Sequence, residues 1–527
     1  MERLPVVYVR GFAGERGIEK AVEDPFYGFN EGSVHVRVGG SGDPSFFQFE
    51  SPLLRLMIEQ EYEVLVRGSQ ERFLLDAKSG TVPQESIWVY RFYDTSAASL
   101  TKQAHRPEPE EEGVTKPDEY RKFDLQRAAE NLVDLVEVVK DRTGAPRVHL
   151  VAHSMGGLIC RCLIQKVLPD RGDHALNHID RLFTYGTPHG GINFDVGFGL
   201  LERIRDTFNI EGGDIFGPRR MYDYLTPSAY KSDGPPKGWR ANVIPADAFP
   251  AERVFCLIGT NPADYDVALG LSAKAVGAKS DGLVQINSAY VPDAKFAFVH
   301  RSHSGRYGMV NSEEGYQNLY RFLFGDLEVT ADLVNIRLPG EVTDDVTWQA
   351  ETKLSVRGLP IVMHEQVAAH HCPIQLEHPR GADTADRPVP LVTTFLSSEG
   401  SRPAGSETMR YMLQLRVISI RERNGIFWFG DHIEQSADFD DTLIVDVKAV
   451  AENEIPKAWA EWASNIRTPL RTYEPKGEPL TDEDPDAEEW QATVRLPSPM
   501  GDFLGSDAAV RMTVRRRLFA DDPSYRT

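Results

Sequence analysis

The chain has 527 residues, a formal net charge of -21 and 41% hydrophobic residues. That length exceeds one ordinary core and points to two to four domains, while the acidic balance excludes a general affinity for nucleic acid or anionic lipid surfaces. Four scattered cysteines, Cys160, Cys162, Cys256 and Cys372, exclude a disulfide framework and read as packed thiols in a reducing compartment.

The amino-terminal stretch MERLPVVYVRG reads directly as a strand over Val6 to Arg10 and carries no signal-peptide pattern. No segment approaches the roughly 18 uninterrupted apolar residues of a membrane span. The expected location is therefore cytoplasmic, with any membrane contact peripheral. After this strand, YVRGFAG places Gly11 at a sharp bend, and the Phe12 backbone N–H is a candidate oxyanion donor. A second strand is expected over Ile87 to Phe92. The segment Ala104 to Glu119, rich in Pro and Glu, reads as a solvated loop.

Phe123 to Lys140 carries Leu125, Ala128, Leu132, Leu135, Val136 and Val139 on one helical face, with Gly144 and Pro146 as stop signals. The strand Arg147 to Val151 then runs into AHSMGG, followed by a helix-like run over Leu158 to Leu168. A serine at such a strand-to-helix turn, with small residues two before and two after it, projects its hydroxyl above a sheet edge. Here those residues are Ala152 and Gly156, which makes Ser154 the candidate nucleophile. The backbone N–H of Met155, at the opening of the helix, is the other candidate oxyanion donor.

Further strands are expected over Arg181 to Tyr185, Val254 to Ile258 and Phe296 to Val299. Between the first two, the turn TPHGG leads into residues 190–250, where Phe194, Phe198, Leu201, Ile204 and Phe208 form an apolar face. This run reads equally as a lid over an acyl pocket or as a crossover helix buried against the sheet.

A serine hydroxyl needs a histidine to take its proton and a carboxylate to orient that histidine. On a sheet of this kind the three arrive in the order serine, acid, histidine. KSDGLVQINS supplies Asp281, and FVHRSHSGRYG supplies His303, with His300 as runner-up. Asp264 and Asp266 are weaker candidates for the acid, because they lack the SDGLV context.

Asn311 or Ser312 is expected to cap a helix that carries Tyr316, Leu319, Tyr320 and Leu323 on one face, with Gly325 at its end. Beyond Leu327 the period changes to two: Met409, Tyr411, Leu413, Leu415 and Val417, then Leu443, Val445 and Val447, then Val510, Met512 and Val514. That pattern predicts an antiparallel sandwich of about 200 residues. The expected organisation is an α/β catalytic domain over 1–326, with 190–250 as a lid or cap insertion, and a β-rich accessory domain over 327–527. Glu474 to Glu489 reads as an acidic solvated loop, and Arg515, Arg516 and Arg517 as a solvated strand end. His370, His371, Cys372 and His378 match no regular zinc spacing, and Pro373 and Pro379 place them in a loop.

VVYVRGFAG, LVAHSMGGL, YGTPHGG, SDGLV and the late histidine segment together resemble the α/β-hydrolase superfamily. Within it, they resemble the bacterial lipase and esterase group that includes proteins similar to the GPI inositol-deacylase. The resemblance covers about the first 325 residues. Arg10 stands where the lipase pattern has a histidine, and Ala152 where it has the first glycine of the elbow. The resemblance implies a mostly parallel central sheet and hydrolysis of a carboxylic ester, lipid or other acyl ester, through an acyl-enzyme. It carries Ser154, Asp281 and His303 over as the triad and implies no reaction cofactor; some relatives hold a structural calcium, for which no ligands are assigned in this sequence. An acyltransferase on the same site is the alternative, and a scaffold acting through the β domain is the non-enzymatic one.

Overall fold

A computed structural model describes residues 3–11, 33–38, 44–49, 51–64, 70–90, 124–192, 215–264, 278–304, 308–340, 346–378, 387–396, 408–423, 432–448, 457–485, 489–498 and 500–517. The described chain divides into two compact units. One is built from residues up to Phe296 together with Arg301–Tyr316, the other from Ala297–His300 and Gln317 onward.

The first unit is built on strands β1 (Val6–Val9), β4 (Glu63–Val64), β5 (Ser86–Tyr90), β6 (Val148–His153), β7 (Ile179–Tyr185), β8 (Val254–Gly259) and β9 (Lys295–Val299), in the sheet order β4-β5-β1-β6-β7-β8-β9. Strands β2 (Ser33–Val38) and β3 (Pro44–Phe49) form a separate antiparallel pair. From β4 to β8 every neighbouring pair is parallel. Every residue of β1, β6, β7 and β8 is buried, as expected where helices cover both faces of a parallel sheet. This is why β1 and β8 read as unbroken apolar runs rather than as alternating ones, while β6 and β7 also bury His149, His153, Asp180 and Arg181.

Helices α1 (Ser51–Gln60) and α2 (Gln70–Asp76) precede β5. Helix α3 (Leu125–Thr143) occupies the run of period 3.6, starting after Phe123, which lies outside the described residues. The Asp124 carboxylate accepts from the Arg127 N–H at its start, and Gly144 at φ 70° ends it. Helix α4 (Met155–Cys162) begins directly after Ser154 and continues through a π-helical turn, Leu163–Val167, and a last α-turn, Leu168–Asp170. All residues from Met155 to Leu168 are buried. Of residues 190–250, the proposed lid face from Phe194 to Phe208 lies outside the described residues. The remainder includes α5 (Pro218–Leu225), which buries Met221, Tyr222, Tyr224 and Leu225. That segment is tied to α4 by Lys166 Nζ donating to the Thr226 carbonyl and Arg161 Nη2 to that of Val243. Helix α6 (Glu313–Phe324) is capped by Ser312, whose Oγ accepts from the Gly315 N–H at 2.9 Å, whereas Asn311 Oδ1 accepts from the Ser51 N–H.

In the second unit, strands β10 (Leu327–Val334), β14 (Val389–Leu396), β18 (Trp490–Arg495) and β19 (Ala509–Arg516) form a sheet ordered β14-β10-β19-β18. Strands β11 (Val346–Val356), β12 (Val362–Gln366), β15 (Met409–Arg423), β16 (His432–Lys448) and β17 (Lys457–Trp462) form a second, ordered β12-β11-β15-β16-β17, with β13 (Ile374–Leu376) beside β11. All of these pairs are antiparallel. One apolar core takes Leu333 and Val510 from the first sheet and Ala350, Leu415 and Leu443 from the second, which makes the pair a sandwich. The alternation along β15 buries Met409, Tyr411, Leu413, Leu415 and Val417 and breaks where a bulge follows Val417, so that Ile418 is buried too. Arg410 interrupts it earlier: its guanidinium is buried against Asp446, Nε to Oδ1 2.9 Å and Nη2 to Oδ2 3.0 Å.

Arg517 departs from the solvated strand end that the sequence suggests. Its Nη1 donates to the carbonyls of Phe322 and Gly325, and its guanidinium lies 4.3 Å over the Phe395 ring. A cation on the last carbonyls of a helix is favoured by the helix dipole. Among the described residues no helix is long and apolar enough to cross a membrane.

Candidate active site

Strand β6 leads straight into α4, and the reversal between them is carried by Ser154, at φ 55° and ψ -128°. A residue with a side chain seldom adopts such a backbone, and the cost is carried here by packing on both sides of the turn. The Ser154 N–H donates to the Tyr185 carbonyl at 2.9 Å. A Cβ at Gly156 would lie 2.4 Å from the Val9 carbonyl oxygen, so only glycine lets α4 approach β1 this closely. Ala152 is fully buried on β6 opposite Val9.

Asp281 follows β8, and His303 follows β9. The Asp281 carboxylate is fixed by its own turn: Oδ1 accepts from the backbone N–H groups of Leu283 at 3.0 Å and Val284 at 2.7 Å. This is the physical content of the SDGLV string, an Asx-type turn that orients its own carboxylate. The other oxygen, Oδ2, lies 2.8 Å from His303 Nδ1, and the His303 N–H donates to the Asp281 carbonyl at 2.9 Å. His303 Nε2 lies 2.9 Å from Ser154 Oγ. The carboxylate can only accept, so Nδ1 carries the proton and Nε2 is left as the acceptor for the serine hydroxyl. Asp281 and His303 are buried and Ser154 is half-buried, so the hydrogen-bonded chain reaches solvent at its Ser154 end.

The remaining candidates separate. His300 stacks on His370, ring centroids 3.6 Å apart and planes 9° from parallel. The Asp264 carboxylate accepts from Asn261 Nδ2 at 2.7 Å. Asp266 and Phe12 lie outside the described residues. Met155 is the first residue of α4, where a backbone N–H has no acceptor within the helix. Cys372 Sγ faces the carbonyls of Glu365 and Val367. Among the described residues no cluster of three or more His, Cys, Asp or Glu is placed to hold a metal ion.

Two residues inside the quoted motifs gain roles that the sequence reading did not give them. His153 Nε2 is 3.0 Å from the His303 carbonyl oxygen, and the two rings lie 5.0 Å apart. Burial holds its pKa well below the usual histidine value, and the neighbouring His303 and Arg10 lower it further. Thr187, in TPHGG, donates its hydroxyl to the Ser154 carbonyl at 2.9 Å. The available signal was placement alone: one residue adjoins Ser154, and the other sits in the turn after the neighbouring strand.

A mostly parallel sheet with a serine elbow after its central strand, and an acid and a histidine after later strands, is the α/β-hydrolase fold. No protein-family model matches the chain, and no curated protein does. Among solved structures the chain is similar to phospholipase PlaB from Legionella pneumophila, at 14% identity over 91% of this chain and 100% of that one, with a TM-score of 0.30. It is similar to the Bacillus licheniformis lipase BlEst2 at 20% identity over 36% of this chain and 71% of that one, TM-score 0.24. The lin2722 gene product of Listeria innocua matches at 14% identity over 61% and 94%, TM-score 0.25.

Proposed function

We propose that this protein is a serine hydrolase that cleaves carboxylic esters, of lipid or other acyl type, with Ser154 as nucleophile, His303 as base and Asp281 as orienting acid. The observation that carries the reading is the continuous chain Asp281 Oδ2, His303 Nδ1, His303 Nε2, Ser154 Oγ, with links of 2.8 and 2.9 Å on a strained elbow.

The chemistry follows from those positions. Ser154 Oγ attacks the ester carbonyl as its proton passes to His303 Nε2, and the imidazolium is stabilised by Asp281. The oxyanion that develops meets the Met155 N–H at the positive end of α4, and the sequence after β1 offers the Phe12 N–H as a second donor. Collapse expels the alcohol, which takes the proton from Nε2 and leaves acyl-Ser154. Water, activated by the same nitrogen, then releases the acid.

A fluorophosphonate probe tests this directly, because its phosphorus is attacked by an activated serine. The expected result is labelling of the folded wild-type chain that disappears in Ser154→Ala and His303→Ala, with turnover of p-nitrophenyl butyrate lost in parallel. Wild-type protein that neither labels nor turns over the ester would overturn the reading.

A further inference from the structure

The TPHGG turn is unusually well anchored for a segment with no assigned task. Gly186 N–H donates to the Leu257 carbonyl and Gly190 N–H to that of Ser288, both at 2.9 Å. The His189 carbonyl accepts from Nη1 of Arg161, a fully buried guanidinium, at 3.0 Å. At the start of this turn Thr187 is completely buried, and its hydroxyl reaches the Ser154 carbonyl. The same carbonyl accepts from the Gly157 N–H at 3.1 Å. The approach is so close that a Cβ on Gly157 would meet Thr187 Oγ1 at 2.1 Å. The last glycine of AHSMGG is therefore the space into which the Thr187 side chain fits.

We infer that Thr187 is a positioning residue for the oxyanion donor: by holding the Ser154 carbonyl it fixes the Ser154–Met155 peptide and so aims the Met155 N–H. The inference rests on the proposed role of Ser154. Its physical basis is the planar trans peptide, in which C=O and N–H point to opposite sides and move together. A hydrogen bond to the carbonyl thus sets the direction of the N–H on the far side. It also polarises the amide, which makes that N–H a better donor to a developing negative charge. The elbow backbone is strained, and the two hydrogen bonds on one carbonyl oppose its relaxation.

The test is a pair of substitutions that separate the hydroxyl from the methyl. Thr187→Val keeps the shape and removes the donor, whereas Thr187→Ser keeps the donor and removes the methyl. With p-nitrophenyl butyrate, Thr187→Val is expected to lower kcat about tenfold with KM within about twofold, a fraction of the loss on deleting an oxyanion donor outright. Thr187→Ser is expected to stay within about twofold of wild type. The inhibition constant of an alkyl boronic acid, whose tetrahedral adduct carries the oxyanion, should rise in step with the loss in kcat/KM, while that of butyrate stays constant. Should Thr187→Val melt below the assay temperature, Thr187→Ala against Thr187→Ser makes the same comparison. A Val or Ala variant with wild-type kcat overturns the inference and leaves the proposed function standing. Absence of any Ser154-dependent turnover in the wild type overturns both.

Discussion

His153 Nε2 lies 3.0 Å from the backbone carbonyl oxygen of His303, so the residue before Ser154 is tied to the backbone of the histidine that bonds Ser154. A carbonyl only accepts, and Nε2 of His153 must carry the proton. Replacing His153 with Phe removes that donor, at a cost of about 1 kcal/mol. The freed His303 loop should lower kcat on p-nitrophenyl butyrate about tenfold through misplacement of the imidazole. His153→Gln presents an amide N–H at a similar reach and should recover most of the loss. A Phe variant that melts and turns over like wild type would show that the tie has no role.

His300 is placed against His370 rather than in the hydrogen-bonded chain of Ser154. His300→Ala is therefore expected to keep kcat/KM within about twofold, whereas His303→Ala should lose about six orders of magnitude, as when the histidine of a serine triad is deleted. Steady-state kinetics on the two variants decide the matter, and a dead His300→Ala with an active His303→Ala would reverse the assignment.

Gly156→Ala should be among the most damaging single-methyl additions in the chain. The added carbon meets the Val9 carbonyl oxygen at 2.4 Å, and that atom belongs to a buried central strand rather than to a side chain that can rotate away. Relief requires α4 to move off β1, which costs about 1–3 kcal/mol for an overpacked core and shifts Ser154. Circular dichroism melts and fluorophosphonate labelling should both fall, and a variant that keeps wild-type values in both would contradict the close approach.

The parts of the site that could be read from sequence are those that organise themselves within a few residues. AHSMGG shows its elbow because Gly156 must be small, and SDGLV shows its acid because the Asp281 turn is closed by its own neighbours Leu283 and Val284. The contacts of His153 and Thr187 are made across strand ends, to residues 150 and 33 positions away in the chain, and no local pattern records them. The fold divides in the same way. β15 was legible from period two, while the two-residue strand β4 and the pair β2 and β3 were not, being too short or without a counterpart in the central sheet. The π-helical turn Leu163–Val167 was also invisible, because its residues are as apolar and buried as those of the α-helix it interrupts.

Stability should fall with acidification from near neutral pH. Burial holds His153 and His189 well below the usual histidine range and lowers His364 to about 4. These side chains stay neutral in the fold and take up protons when the chain unfolds. The unfolded state therefore binds more protons below its own histidine pKa of about 6.5. The contribution is fully present above that value and is lost as pH falls toward the folded pKa, over 6.5 to about 4 for His364. Within the window each such histidine contributes a slope of about 1.4 kcal/mol per pH unit. Urea unfolding between pH 8 and pH 5 should show a plateau above about 7 and a decline below it, and a flat profile down to pH 5 would sink the assignment.

The Arg410–Asp446 pair predicts a different response in the β unit. Both side chains are almost fully buried, and the guanidinium also donates to the carbonyls of Leu470 and Tyr473, so it joins β15 to the segment that follows β17. Arg410→Met leaves Asp446 buried without its cation and should cost about 3–5 kcal/mol. Removing the second charge as well, in Arg410→Met with Asp446→Leu, deletes the desolvation problem together with the attraction and should recover more than half of that loss. Because a buried pair is worth little beyond what an apolar replacement supplies, the double variant is the informative one. Urea unfolding of the full chain followed by tryptophan fluorescence gives both values. A double variant as unstable as Arg410→Met would mean that the two carbonyl contacts to residues 470 and 473, rather than the charge pairing, hold this part of the sandwich.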